Sequence, residues 1–207
     1  NTNGADLEGQ GELTIAPFTA NSTFSPTLGT IPSGFSSVTI GNTTGTLNFT
    51  SNVTFGTPTT ILGNTIDLAA GVALSSGVNN LTLTADRSIT LNSGTSITTT
   101  DGAIVLNSDR DASGNGAIRL TGASLQTGSG SMLLSGGSDP ATGYAVAADT
   151  TLQDGVAILS STLNSTSGNI TIRGQGATFS NDVNNANMGV MVDSTSTLST
   201  DSGTLTL

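Results

Sequence analysis

Between Leu74 and Leu207 one ten-residue pattern occurs five times: an apolar residue, four arbitrary residues, Gly or Asn, one residue, then apolar-x-apolar. The copies are Leu74-Asn79-Leu81-Leu83, Ile97-Gly102-Ile104-Leu106, Leu125-Gly130-Met132-Leu134, Leu163-Gly168-Ile170-Ile172 and Leu198-Gly203-Leu205-Leu207. Strand side chains alternate between faces, so each closing triplet buries two residues and shows one to water. The Gly or Asn two residues ahead predicts a sharp corner in a left-handed backbone conformation, which these residue types adopt at least cost. A second triplet precedes each single apolar residue: Ile66-x-Leu68, Ile89-x-Leu91, Ile118-x-Leu120, Val156-x-Ile158 and Val190-x-Val192. One unit thus has three inward segments separated by polar turns, which is a three-sided coil. No unit can bury its few apolar residues alone, so the coils must stack round one continuous core. The expected fold is all-β, a right-handed parallel β-helix (three-sided β-solenoid), because the strict hexapeptide repeat of left-handed ones is not seen.

Measured between the single apolar residues, the units run 23, 28, 38 and 35 residues, and nearly all the variation falls in 84–88, 107–117, 135–155 and 173–189. These stretches occupy one corner of successive coils. Insertions there project from one side, the expected working face. Residues 1–60 are spaced differently. Triplets appear at Leu13-x-Ile15, Val38-x-Ile40, Leu47-x-Phe49 and Val53-x-Phe55, with Pro17, Pro26, Pro32 and Pro58 in the connections, where proline is tolerated. Five of the six Phe lie there. We expect 1–60 to be a capping or transition β segment and 61–207 to be β-helix repeats. Leu207 is the last inward residue of the fifth copy, whereas terminal solenoid repeats normally carry a polar cap. With a start at Asn1 rather than Met, this reads as part of a longer chain whose repeats continue beyond 207.

A 34% hydrophobic, 3% aromatic composition without Trp would fill a globule poorly. A thin core of Leu, Ile and Val needs little more. Charge is scarce and one-sided: fourteen acidic residues, twelve of them Asp, face four Arg, with no Lys or His, for a net −10. Nucleic acid and anionic lipid need basic patches, so neither is an expected partner. No Cys is present, which removes disulfides, thiolate zinc sites and thiol catalysis. No run of eighteen apolar residues occurs, so no membrane insertion by this segment is expected.

The stretch Gly11-Glu12-Leu13-Thr14-Ile15-Ala16-Pro17, then Gly34-Phe35-Ser36-Ser37-Val38-Thr39-Ile40-Gly41 and Val53-Thr54-Phe55 with Pro58, resembles a segment of giant bacterial surface proteins of the filamentous-haemagglutinin type. Asp86-Arg87-Ser88-Ile89-Thr90-Leu91 is similar to their β-helical repeats. The resemblance implies an adhesin fibre, extracellular or on the bacterial cell surface, whose partner is a host or neighbouring-cell surface, glycan or protein. The Asn-Pro-Asn-Gly signature of two-partner secretion domains is not present, which leaves the export route open.

Asp109-Arg110-Asp111-Ala112-Ser113-Gly114-Asn115 matches the opening of an oxygen-ligand calcium loop, with Asp109, Asp111 and Ser113 in the first acceptor positions, Gly114 at the tight turn and Asn115 next to it. The bidentate Glu expected at position twelve is replaced by the core residue Leu120. A solvated polar turn is the competing reading, and calcium is the one cofactor these residues suggest. Tyr144 and Phe179, on the two longest insertions, form a candidate ligand face, since Tyr144 could stack on a sugar; packing onto the solenoid wall is the alternative. Polysaccharide lyases and hydrolases use this fold and need carboxylates with an acid or base on neighbouring coils. The outward residues of the leading triplets are Asp67, Thr90, Arg119, Ala157 and Met191, and of the closing triplets Thr82, Val105, Leu133, Thr171 and Thr206. Asp67 and Arg119 stand a coil apart with no second carboxylate, so no catalytic residue is assigned and no enzyme is expected. Neither column is the regular Thr array that ice binding needs.

Overall fold

The computed structural model describes residues 8–147, 151–177 and 187–207. Among them there is no helix, and the strands form three parallel sheets of eight, six and seven strands plus a small pair. The chain is a three-sided parallel β-helix. Closing triplets make the first sheet, leading triplets the second, and single apolar residues the third. Leu74, Ile97, Leu125, Leu163 and Leu198 pair successively in one column of the third sheet. The first four are fully buried and belong to a single core that runs along the axis. In the last coil the inward Val192 and Leu205 are 39% and 41% exposed, because no coil lies over them.

Residue 60 is not a seam in the sheets. Glu12–Ile15, Ser37–Gly41 and Thr59–Gly63 stack in the first sheet and continue into Leu81–Ala85. Thr46–Phe49 opens the second sheet and pairs with Thr65–Leu68. Thr30–Ile31 and Val53–Phe55 open the third. The N-terminal Phe residues fill this end of the same core: Phe49 and Phe55 are buried, and Phe24 and Phe35 pack against it.

The corner glycines correct one expectation. Gly102, Gly130, Gly168 and Gly203 do not have a left-handed backbone. They are small because coils touch there: an added Cβ would meet, respectively, the carbonyl oxygens of Asn79, Gly102, Gly130 and Gly168 in the coil before. A left-handed residue recurs instead at the corner between the second and third sheets, at Gly71, Gly94, Gly122 and Ser160, whereas at the glycine corner Gly77 alone among the described residues is left-handed.

Two residues after each single apolar residue a hydroxyl points inward. Ser76, Thr99, Thr127 and Ser165 are all buried. A buried hydroxyl needs a partner, and backbone at the glycine corner supplies it for some of them. Thr99 Oγ1 donates to the Gly102 carbonyl at 2.5 Å, and Ser165 Oγ to the Gly130 carbonyl at 3.3 Å. Ser76 Oγ and Thr127 Oγ1 have no partner.

Candidate functional site

The insertions leave the solenoid at the corner between the first and second sheets, as their spacing predicts. They do not hang free. Strands of the first sheet extend two residues past the triplet, as Leu81–Ala85, Ile104–Ser108 and Met132–Gly136. The added Asn107 and Ser135 are buried. Insertion backbone lies over this edge: Ser108 Oγ donates to the Gly116 carbonyl at 2.6 Å, and Ser135 Oγ to the Pro140 carbonyl at 2.8 Å. Successive insertions then pair with each other. Gly116 and Val146 exchange two hydrogen bonds of 2.8 and 2.9 Å, and Ala145–Val146 pairs in parallel with Gly174–Gln175. The corner is thus a small second stack running alongside the main one.

Asp109, Asp111, Ser113 and Asn115 gather in one turn of this corner. Asp109 is 3% exposed and its carboxylate is turned onto its own loop. Oδ1 accepts the N–H groups of Gly114 and Asn115 at 2.9 and 3.1 Å and the Ser113 hydroxyl at 3.2 Å, and Oδ2 accepts Gly114 N–H at 3.2 Å. Asp111 Oδ1 accepts the Ser113 N–H. Left-handed residues at Asp109, Ala112 and Gly114 aim these N–H groups inward. A cation at Asp109 would face the positive ends of the same dipoles, so binding calcium here requires the turn to open. Among the described residues no three carboxylates gather around one point that a metal ion could occupy. Beside the turn, Arg110 Nη2 lies 2.6 Å from Asp86 Oδ1.

The same local chemistry recurs. Asp139 accepts from Ala141 N–H and the Thr142 hydroxyl. Asp193 accepts from the Ser196 and Thr195 hydroxyls and from Thr195 and Ser160 N–H. The Ser196 hydroxyl is the chief reason the Asp193 carboxyl is held below its ordinary range, with burial opposing and the Ser160 and Thr195 bonds assisting. A one-carbon carboxylate reaches backbone two or three residues ahead, which a Glu does less well. This accounts for Asp at such turns in a chain with only two Glu.

Tyr144 stands on the same corner, two residues before Val146, and is 50% exposed. Phe179 lies outside the described residues. The outward columns stand as the spacing predicts: Asp67, Thr90, Arg119, Ala157 and Met191 on the second sheet, Thr82, Val105, Leu133, Thr171 and Thr206 on the first. With Thr90 between them, Asp67 and Arg119 are about 10 Å apart at the usual strand spacing. Asp67 Oδ1 accepts instead from Asn92 Nδ2 at 2.9 Å. Ala157 is buried, and Leu133 and Met191 are half-buried.

Two features lie outside the sequence reading. A groove of about 280 Å³ opens near the N-terminal end between Ile15, Phe24, Ser25, Pro26, Thr27 and Leu28. The third sheet, of which the spacing reveals only one inward residue per coil, also presents an outward column: Thr54, Ser75, Thr98, Gln126, Asn164 and Ser199. No family model, curated protein or solved structure matches the chain.

Proposed function

We propose that this chain is a non-enzymatic structural and adhesive segment of a bacterial surface or secreted protein: a stiff rod that carries its insertions along one edge for attachment. The observation that carries this reading is the unbroken stack of parallel coils whose insertions share one corner and pair with each other. Such a corner has fixed spacing along the rod, which suits display. The likeness of 11–17, 34–41 and 86–91 to filamentous-haemagglutinin segments supports the same reading and an extracellular or cell-surface place. A non-enzymatic role is supported by the outward columns. Asp67 is held by Asn92 and lacks a carboxylate neighbour on its own column.

The test is attachment. Beads coated with the wild-type chain should adhere to cell surfaces or to arrayed glycans or proteins, and acidic polysaccharides should be left intact. Release of unsaturated sugar would replace this reading with a carbohydrate-processing enzyme. Attachment that appears only with calcium, and is lost in Asp109→Asn, would replace it with a glycan-binding module ordered by that ion. Beads that adhere to nothing would leave a spacer.

A further inference from the structure

The third sheet is the side without insertions, and short turns join its strands at both edges. Beside the column from Thr54 to Ser199 runs a second outward column of Ala73, Ser96, Ser124, Thr162 and Thr197. Neither column holds a charged, aromatic or large apolar residue. Of the carboxylates at its edges, Asp101 accepts the Ser129 hydroxyl and Asp193 closes the turn before the last strand, while Asp201, directly after that strand, is exposed.

The chemistry of this face restricts its occupant. It has no basic residue to meet a phosphate, sulfate or carboxylate, and the acidic chain around it repels anions. It has no carboxylate to draw a cation. Seven strands at about 4.8 Å make a face roughly 29 Å long, with columns about 6.6 Å apart. That is on the order of 400 Å², about half of the 800 Å² per partner that a stable protein interface buries, and it offers none of the Trp, Tyr or Arg anchors that carry one. What it does offer, row after row, is hydroxyl and amide groups that both donate and accept. Some are already ordered by neighbours: Ser75 Oγ bonds Thr54 Oγ1 at 3.1 Å, and Asn164 Nδ2 donates to Ser199 Oγ at 2.8 Å. Fixed side chains lose little freedom on binding.

We propose that the outward face of the third sheet binds a neutral, hydroxyl-rich polysaccharide laid along the long axis of the rod. This rests on the adhesive reading above and supplies its partner class, on the side away from the insertions. A polymer engages several rows at once, so weak contacts add through effective concentration. A neutral partner also makes binding insensitive to salt.

Co-sedimentation with insoluble cellulose, chitin and a neutral β-glucan, in low and high salt, tests it. The wild type should pellet with at least one of them equally in both salts. Ser96→Glu/Thr162→Glu, two outward changes with Ser124 between them, should lose tenfold or more of the affinity, and the milder Gln126→Ala should lose severalfold. Melting temperatures check that both variants fold. Tyr144→Ala should pellet as the wild type does. No pelleting with any neutral polysaccharide, or equal pelleting by the double variant, would overturn the proposal. Binding lost in Tyr144→Ala but kept in the double variant would also overturn it, while leaving the adhesive reading standing. Inhibition of ice recrystallisation, lost in the double variant and unaccompanied by polysaccharide binding, would assign the face to ice instead.

Discussion

Replacing Gly130 by Ala sets a methyl group against the coil beneath. The added Cβ meets the carbonyl oxygen of Gly102, lies 2.5 Å from its carbonyl carbon and 2.8 Å from the Asp101 oxygen. Gly130 does not have a left-handed backbone, so chain entropy alone predicts that Ala stabilises by about 0.4–1 kcal/mol. Contact predicts the opposite sign. Non-bonded carbon atoms rest about 3.5–4.0 Å apart, so the corner must rise by roughly 1 Å on a coil spacing of about 4.8 Å. That stretch breaks the neighbouring bond from Ser129 N–H to the Thr100 carbonyl, now 3.1 Å. One or two lost bonds cost about 1 kcal/mol each, and overpacking adds about 1–3 kcal/mol. The expected loss is about 2–5 kcal/mol, or roughly 4–20 °C in Tm for a chain of this size. Urea unfolding followed by circular dichroism measures it. Two controls separate the causes. Gly11→Ala, with nothing within 4 Å, should be neutral or slightly stabilising. Gly71→Ala, also in open space but at φ +78°, should cost about 1–2 kcal/mol from conformation alone. A Gly130→Ala midpoint equal to that of Gly11→Ala would refute the stacking explanation.

Leu125→Ala empties a fully buried position in the central column and should cost about 2–5 kcal/mol, seen as a lower urea midpoint. Thr127→Val removes a buried hydroxyl with no partner and should be neutral or stabilising, whereas Thr99→Val, which loses its bond to Gly102, should cost about 1 kcal/mol; equal effects would contradict the assignment of these hydroxyls. Asp109→Asn should lower Tm more than Asp111→Asn, because three donors converge on one Asp109 oxygen. Calcium should leave the wild-type Tm unchanged; a clear rise would show that the turn opens to take the ion. For Asp193 the folded carboxyl titrates below its ordinary value. Its contribution is present above the unfolded pKa of about 3.9 and fades as pH falls through the lower folded value. The gap in Tm between wild type and Asp193→Asn should therefore be full at neutral pH and close on strong acidification.

The inward columns were legible because each rests on a residue-level contrast: Ile97, Leu125 and Leu163 are aliphatic amid Ser, Thr and Gly, at a constant distance from the next triplet. The reason for Gly102 and Gly130 was not, since a close approach between coils is a tertiary fact that a single chain segment does not carry. The buried hydroxyls were written in the sequence, as a Ser or Thr two residues after every single apolar residue. They were easy to miss because these side chains suit a solvated turn as well as a satisfied interior one. The 109–115 turn shows the same ambiguity. Oxygen-bearing residues at alternate positions suit a cation, but the donors that occupy Asp109 come from backbone N–H groups, which spacing does not reveal. The third sheet's outer face went unread because its strands show one apolar residue each, too few to declare an alternation.

In a coil of this kind the backbone hydrogen bonds run along the rod rather than across it. Tension applied at the two ends loads them one row at a time, as when a zip is opened, and not all together in shear. The 23-residue turn from Leu74 to Ile97 spans one coil rise of about 4.8 Å, yet released it reaches roughly 80 Å at 3.3–3.6 Å per residue. Drawn from its ends, the molecule would pay out chain by single turns, lengthening more than tenfold while the turns still wound stay intact.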